Sequence, residues 1–354
     1  MTMDKPYFFC RKDNIPQDAQ FIDVFEGGLR ELFFVDNPRF KKGMPEAEKP
    51  LRDFLRNNKP GEVWIYYPWN NKAVHCLPEE LYLKLRTARN RNIITEDEQI
   101  NYRNAKVGIV GLSVGSEVLS ALVMSGGPKV LKIADFDSIE ITNLNRINAK
   151  LTDVGMNKTW VAAREVWGLD PFAELHLWDN GVSDENIEEF ILGEPKVDIF
   201  IDEMDSLSLK ARSRIICRQA RIPVLMATDN GDDVLLDVER FDLEPHRAIF
   251  HGLINEAELM NIERISYQEW VRLASKIVSP EYLPDNMRES LLAVGDTLSA
   301  VPQLGTTASV AGAAIAYVVR KIANNEDMPS GRYVISLEEK LAPIYNNVEN
   351  QNRR

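Results

Sequence analysis

Residues 106–146 read KVGIVGLSVGSEVLSALVMSGGPKVLKIADFDSIEITNLNR. Val107–Val110 is a short apolar run, as suits a strand covered on both faces of a sheet. Gly111-Leu-Ser-Val-Gly115-Ser116 then turns the chain, and a helical pattern follows. Val130–Asp135 is a second such run and ends in Asp135-Phe136-Asp137. Strand, glycine turn, helix and strand make the βαβ unit of a parallel sheet. Glycines let the backbone approach phosphate closely, and a helix start offers unpaired N–H groups and a positive dipole end. The spacing is GxxxG, not GxGxxG, and alone it is a weak signal. Asp135 strengthens it, because it lies 24 positions after Gly111, where an acidic residue takes ribose hydroxyls. Gly111, Gly115, Ser116 and Asp135 are therefore candidate nucleotide-binding residues. The structural alternative is an ordinary strand–helix turn with a serine cap.

The next residues decide which nucleotide. Asn143, Asn145 and Arg146 follow at once, and Lys158 comes twelve residues after Arg146. Arginine forks onto phosphate oxygens and lysine adds a point charge. A dinucleotide site needs no such cluster; a triphosphate site does. Taken singly, each residue also reads as a solvated surface cation. Farther on, IDEMDS places Asp202 and Asp205 at the end of a fourth strand, on the edge where open α/β sheets hold ligands. A carboxylate there can hold Mg²⁺ against phosphates, or cap the helix that follows.

The apolar runs 107–110, 130–135, 175–178, 197–202 and 224–228 alternate with helical patterns at 158–167, 184–192 (capped by Ser183) and 207–221. The expected fold is α/β: a Rossmann-like, doubly wound, mostly parallel sheet with helices on both faces. Residues 1–84 read as a separate small α+β domain with a short helix at 51–57. It carries an edge-capable strand, Glu62–Tyr67, and an aromatic group of Trp64, Tyr66, Tyr67 and Trp69 expected in its own core. Residues 85–354 form the nucleotide domain, with a core at 104–240 and an extension at 245–345. In the extension, 255–276 and 308–321 read as helices, 280–287 as loop, 332–337 as strand, and 346–354 as a frayed tail.

The chain has 354 residues, of which 44% are apolar and 27% charged, a soluble globular composition. A net charge of −12 disfavours nucleic acid and anionic membrane as partners. The start carries no secretory signal, the apolar run 308–319 is too short to span a bilayer, and the expected location is cytoplasmic. The three cysteines, Cys10, Cys76 and Cys217, form no CxxC pair, so no zinc is expected.

In sequence the chain resembles the ThiF/MoeB/HesA adenylating family, relatives of the ubiquitin-activating enzymes. The resemblance covers about residues 85–240 well, with PQLGTTASVAGAAIAYVVRKI at 302–322 similar to the family's late helix. The family's Asp-x-Asp and Ser/Thr-Asn-Leu-x-Arg stand here as Asp135, Asp137, Thr142, Asn143, Leu144 and Arg146; its Val-Gly-x-x-Lys as Val154, Gly155 and Lys158; its Asp-x-x-Asp as Asp202 and Asp205. The resemblance implies that Asp135 holds the ATP ribose, Asn143, Arg146 and Lys158 hold phosphates, and Asp205 holds Mg²⁺. It also implies a homodimer in which Arg91, with Arg89 as alternative, enters the partner's site. Three features depart from the family: the glycine loop is a residue shorter, Ile147 replaces a glutamine, and the paired CxxC zinc ligands are missing. No cysteine follows Arg218, and Cys217 lies in an apolar helix run, so a thioester step is not expected.

The expected activity is ATP- and Mg²⁺-dependent adenylation of a carboxylate with release of pyrophosphate, followed by direct acyl transfer. Catalysis is assigned to Arg91, Arg146, Lys158 and Asp205. The carboxylate is that of a peptide or small carrier protein, or of a small acyl substrate; a peptide would be bound by strand addition to Glu62–Tyr67. Two alternatives stay open: a noncatalytic nucleotide-binding scaffold of the same fold, and an NAD-dependent oxidoreductase.

Overall fold

The structure, a computed structural model, describes residues 5–255, 258 and 267–341. The first part builds a four-stranded sheet in the order β1-β3-β4-β2 from β1 (Tyr7–Phe9), β2 (Gln20–Asp23), β3 (Val63–Tyr67) and β4 (Lys72–Cys76). Helices α1 (Phe25–Asp36) and α2 (Pro45–Asn57) lie between β2 and β3. β3 pairs with β1 on one side and β4 on the other, with Tyr7 opposite Tyr66 and Phe9 opposite Trp64. It has no open edge, which corrects the expectation that Glu62–Tyr67 receives a peptide strand. The aromatic group also divides. Trp64 stacks on His75 at 4.4 Å, and Phe25 stacks on His75 at 4.7 Å. Alternate residues of a strand point to opposite faces, so Tyr67 joins the main core, and Trp69 reaches Trp167 at 6.1 Å.

Helices α3 (Glu79–Arg86) and α4 (Glu96–Asn104) connect this sheet to the larger one. Arg86 and Arg103 both meet the buried carboxylate of Asp170, Arg86 at 3.0 Å. The larger sheet has seven strands: β5 (Lys106–Val110), β6 (Val130–Ala134), β7 (Glu174–Trp178), β8 (Ile199–Asp202), β9 (Val224–Asn230), β10 (Asp233–Glu239) and β11 (Gly331–Ser336). Their order is β11-β10-β9-β8-β5-β6-β7. β5 to β9 are parallel, and β10 and β11 run antiparallel to their neighbours. Helices α5 (Val114–Met124) and α6 (Lys158–Leu169) cover one face. Helices α7 (Ile187–Leu192) and α8 (Leu207–Ala220) cover the other. The expected doubly wound α/β fold is present.

Several local expectations are corrected. The helix expected at 184–192 begins at Ile187, because residues 183–186 form a turn whose Ser183 carbonyl accepts from the Ile187 N–H. β10 is an addition to the expected strands. It returns from β9 through a two-residue hairpin, Gly231-Asp232, with Gly231 at φ +73°. A two-residue Gly-Asp loop between apolar runs, here Gly231-Asp232, is a hairpin signal that marks it. α9 (Tyr267–Val278) matches the end of the helix expected over 255–276; most of 256–266, and the tail 346–354, lie outside the described residues. The stretch 280–287 is not all loop: α10 (Asp285–Ala293) starts directly after Pro284, a residue that a helix start tolerates. α11 (Gly305–Ala323) packs along α5 so closely that a Cβ on Gly312 would lie 2.6 Å from the Glu117 backbone. Among the described residues, no helix is long and apolar enough to cross a membrane.

Beneath β8 and β10 lies a closed charge network. Asp202 pairs with Arg214 and, at 3.1 Å, with Lys210; Arg214 reaches Glu239 at 2.6 Å. Glu239 accepts the Phe250 N–H at 2.7 Å, and the Arg214 guanidinium lies 4.2 Å from the Phe250 ring centre. Removing one member of such a set leaves its partners charged and dry. Arg214→Met is therefore expected to destabilise the fold by about 3–5 kcal/mol, read as the shift in a urea unfolding curve.

Candidate active site

The strand order reverses between β5 and β8, so the chain leaves their ends in opposite directions and opens a crevice. Gly111 forms its floor. Its φ is +90°, its N–H donates to the Ala134 carbonyl, and a Cβ there would lie 2.2 Å from the Glu203 carbonyl oxygen. Only glycine lets β5, β6 and β8 approach each other this closely. After it, α5 begins at Val114 without a side-chain cap, leaving helix-start N–H groups toward the crevice. Gly115 is buried against Ile109. The Ser116 hydroxyl is spent on the Ser113 carbonyl at 2.8 Å.

Asp135 clamps the glycine loop. One carboxylate oxygen accepts the Leu112 N–H at 2.7 Å, and the other accepts the Asp137 N–H at 2.8 Å. Burial raises its pKa; the Lys158 charge and these two N–H groups oppose the rise. Lys158 reaches Asp137 at 2.8 Å and Asp135 at 3.8 Å. It is aimed by Asn157, whose side chain caps α6 and donates to the carbonyls of Asp135 and Asp179.

Arg146 closes the opposite side. Its Nε donates to the Ser113 hydroxyl at 3.1 Å, and its Nη1 donates to the Thr142 carbonyl and to Asn145 Oδ1. Partial burial lowers its pKa, while Asp229 and Asp205 attract its charge. Asn143 is buried and accepts the Glu140 N–H, so its side chain shapes the turn that presents Arg146. Asn145 donates to the Gln303 carbonyl, and Gly305 lies against the Asn145 carbonyl, so the start of α11 backs this turn. Asp205 is exposed just past β8. Asp202 belongs to the buried network: desolvation would raise its pKa, but Lys210 and Arg214 outweigh it and hold the carboxyl low.

The structure thus gathers Asp135, Asp137, Lys158, Arg146 and Asp205 around the glycine loop. It does not bring Arg91 there. Arg91 is exposed, and its neighbour Asn90 donates to the Ser125 carbonyl at the far end of α5, a helix about 16 Å long. Sequence reasoning missed Ser113, which holds Arg146, and two carboxylates at strand ends. Glu203 accepts the Ala227 N–H at 2.9 Å, and burial pushes its pKa well up. Asp229 is buried at the end of β9, and burial raises it to about 6 against the pull of Arg146. The strand-end rule that selected Asp205 applies equally to Asp229. A separate cavity of about 970 Å³ lies on the outer side of α5 and α6, lined by Ile65, Val74, Leu119 and Val166 among others. It is not the crevice.

Comparison with known proteins gives a consistent result. Residues 87–338 match the model of the ThiF family. The chain is 37% identical to an uncharacterised protein of Mycobacterium tuberculosis over 297 residues, covering 83% of this chain and 40% of that protein. It is 30% identical to the tRNA threonylcarbamoyladenosine dehydratase of Haemophilus influenzae over 135 residues, covering 38% of this chain and 51% of the other. The matches thus span about half or less of these two relatives. Among solved structures, Escherichia coli MccB with MccA-N7isoASN has a TM-score of 0.52 at 18% identity, covering 88% of this chain and 84% of that one. This last likeness is one of fold.

Two glycines separate crowding from backbone strain. Gly155 has φ +86° with nothing within 4 Å of where a Cβ would stand, whereas Gly111 has φ +90° and the Glu203 carbonyl in the way. Gly155→Ala is expected to cost about 1 kcal/mol. Gly111→Ala is expected to cost at least about 2 kcal/mol more, because a carbonyl must move. Thermal unfolding of both variants measures the difference.

Proposed function

This chain belongs to the ThiF family, and from that premise we propose that it activates a carboxylate with ATP, forming an acyl-adenylate and releasing pyrophosphate. The observation that carries this reading is the meeting of Asp135, Lys158, Arg146 and Asp205 around one glycine loop at the switch point of the sheet. In this reading Asp135 and the loop N–H groups take the nucleoside, and Lys158 and Arg146 take the phosphates. Asp205, exposed just past β8, suits Mg²⁺, which uses one or two protein carboxylates and completes its shell with phosphate and water. Bound there, the ion would neutralise charge on the departing pyrophosphate.

The acyl carboxylate is already ionised at neutral pH, so it needs no general base to attack the α-phosphorus. The chain's work is positioning and charge stabilisation. The acyl group then passes directly to its acceptor. Cys217 is fully buried and its thiol is pushed far up by desolvation, and Cys76 is buried too; neither suits a thioester. The substrate class we infer is a peptide or carrier-protein C-terminus, or a small acyl acid.

We further infer that Arg91 serves the partner's site in a homodimer, since within its own chain it lies at the wrong end of α5. Two tests follow from this reading. In ATP–pyrophosphate exchange with candidate acyl substrates, Arg146→Ala and Asp205→Ala are each expected to lose at least about 100-fold; unchanged exchange in both removes the assignment. Mixing Arg91→Ala with Asp205→Ala is expected to restore about a quarter of wild-type activity, because random pairing rebuilds one intact composite site in half of the dimers. No recovery after subunit exchange rules out the shared site.

A further inference from the structure

Within β9, alternate side chains face α5 and α11. Leu225 and Ala227 are core residues on that face, and the next in the row is Asp229. At this position the apolar core ends and the crevice begins. Asp229 is 8% exposed, and neither of its carboxylate oxygens has a hydrogen-bond partner. Buried carboxylates rarely stand so, and leaving one unpartnered is costly.

The surroundings offer it little. Among the described residues, the charge that attracts it is Arg146, from the turn after β6. Glu203, at the end of β8, is a second carboxyl facing it and is already bonded to the Ala227 N–H. Asp205 shares the pull of Arg146. Asp232 and Asp233 follow in the β9–β10 hairpin. The start of α11 brings no charge: its Thr307 hydroxyl is spent on the Gly231 carbonyl at 2.5 Å. At the start of α5, Glu117 turns to Ser309.

We propose that Asp229 is a further anion-binding residue of this site, which takes one proton from solvent when a phosphate chain occupies Arg146 and donates it as a hydrogen bond to that anion. The inference rests on the nucleotide reading above. Arg146 is the group assigned there to phosphate. Once it is engaged, its charge is shared with the phosphate and the buried Asp229 gains a negative neighbour, and two like charges close together resist joint ionisation. Protonation removes the repulsion and supplies the donor that the orphaned oxygens lack. Burial already holds this carboxyl at about 6, so each further rise on anion binding keeps a larger fraction of it protonated near neutral pH.

The sign of the linkage is fixed. Anion binding raises the Asp229 pKa above about 6. Between the free and bound values the complex holds more protons than the free protein, so affinity falls as pH rises, by up to about tenfold per pH unit. The experiment is calorimetric titration of the full chain with Mg²⁺–ATP at pH 7.5, in PIPES, HEPES and Tris, whose ionisation enthalpies differ. The expected result is fractional proton uptake in wild type and close to none in Asp229→Asn, with Asp229→Glu retaining uptake. A pH series on wild type alone should show affinity falling from pH 6 to 8. ATP binding without proton uptake in wild type, or equal uptake in wild type and Asp229→Asn, overturns the inference while leaving the nucleotide reading intact. No binding of ATP by wild type overturns both.

Discussion

The constraint on which the crevice depends is the approach of the Gly111 backbone to the Glu203 carbonyl. It draws β5 and β8 together at the point where the sheet reverses its winding. Everything placed around the crevice follows from it. With the loop seated this low, the Leu112 N–H reaches Asp135, and the Ser113 hydroxyl reaches Arg146. One backbone contact thus sets the positions of an acidic and a basic group that belong to different segments.

The charged groups beneath the crevice and at its rim serve different ends. Asp202, Arg214 and Glu239 are sealed and mutually satisfied, so they fix the end of β8 without facing solvent. Asp205, three residues on, is exposed and free to change partners. Burial is the difference between the two aspartates. A charge closed in by its counter-charges gives geometry, while one left at an open strand end is available to a ligand.

The central fold was legible because both of its signals are local. Continuous apolar runs report strands covered on two faces, and glycine spacing reports the turn between them. The cluster of Asp135, Arg146 and Lys158 was legible for the same reason: each follows a strand end or helix start visible in the sequence. What stayed hidden depends on contacts distant in sequence. β3 carries the composition of an edge strand, yet β1, more than fifty residues earlier, occupies its free side. Asp229 looks like any polar residue before a hairpin, and only the packing of α5 and α11 over β9 shows that it is enclosed. The stretch 280–287 read as loop, whereas Pro284 stands where a helix can begin.

The seam between α5 and α11 has a consequence for how the chain assembles. Nearly two hundred residues separate Gly312 from the Glu117 backbone it touches. Until that late segment has been synthesised and has docked, the side of the first crossover helix that faces it has no cover. Closing so long an interval slows folding more than it weakens the finished fold. During that interval the half-built sheet would expose a greasy surface to its neighbours, the state in which nascent chains of this kind are most prone to aggregate and most in need of a chaperone.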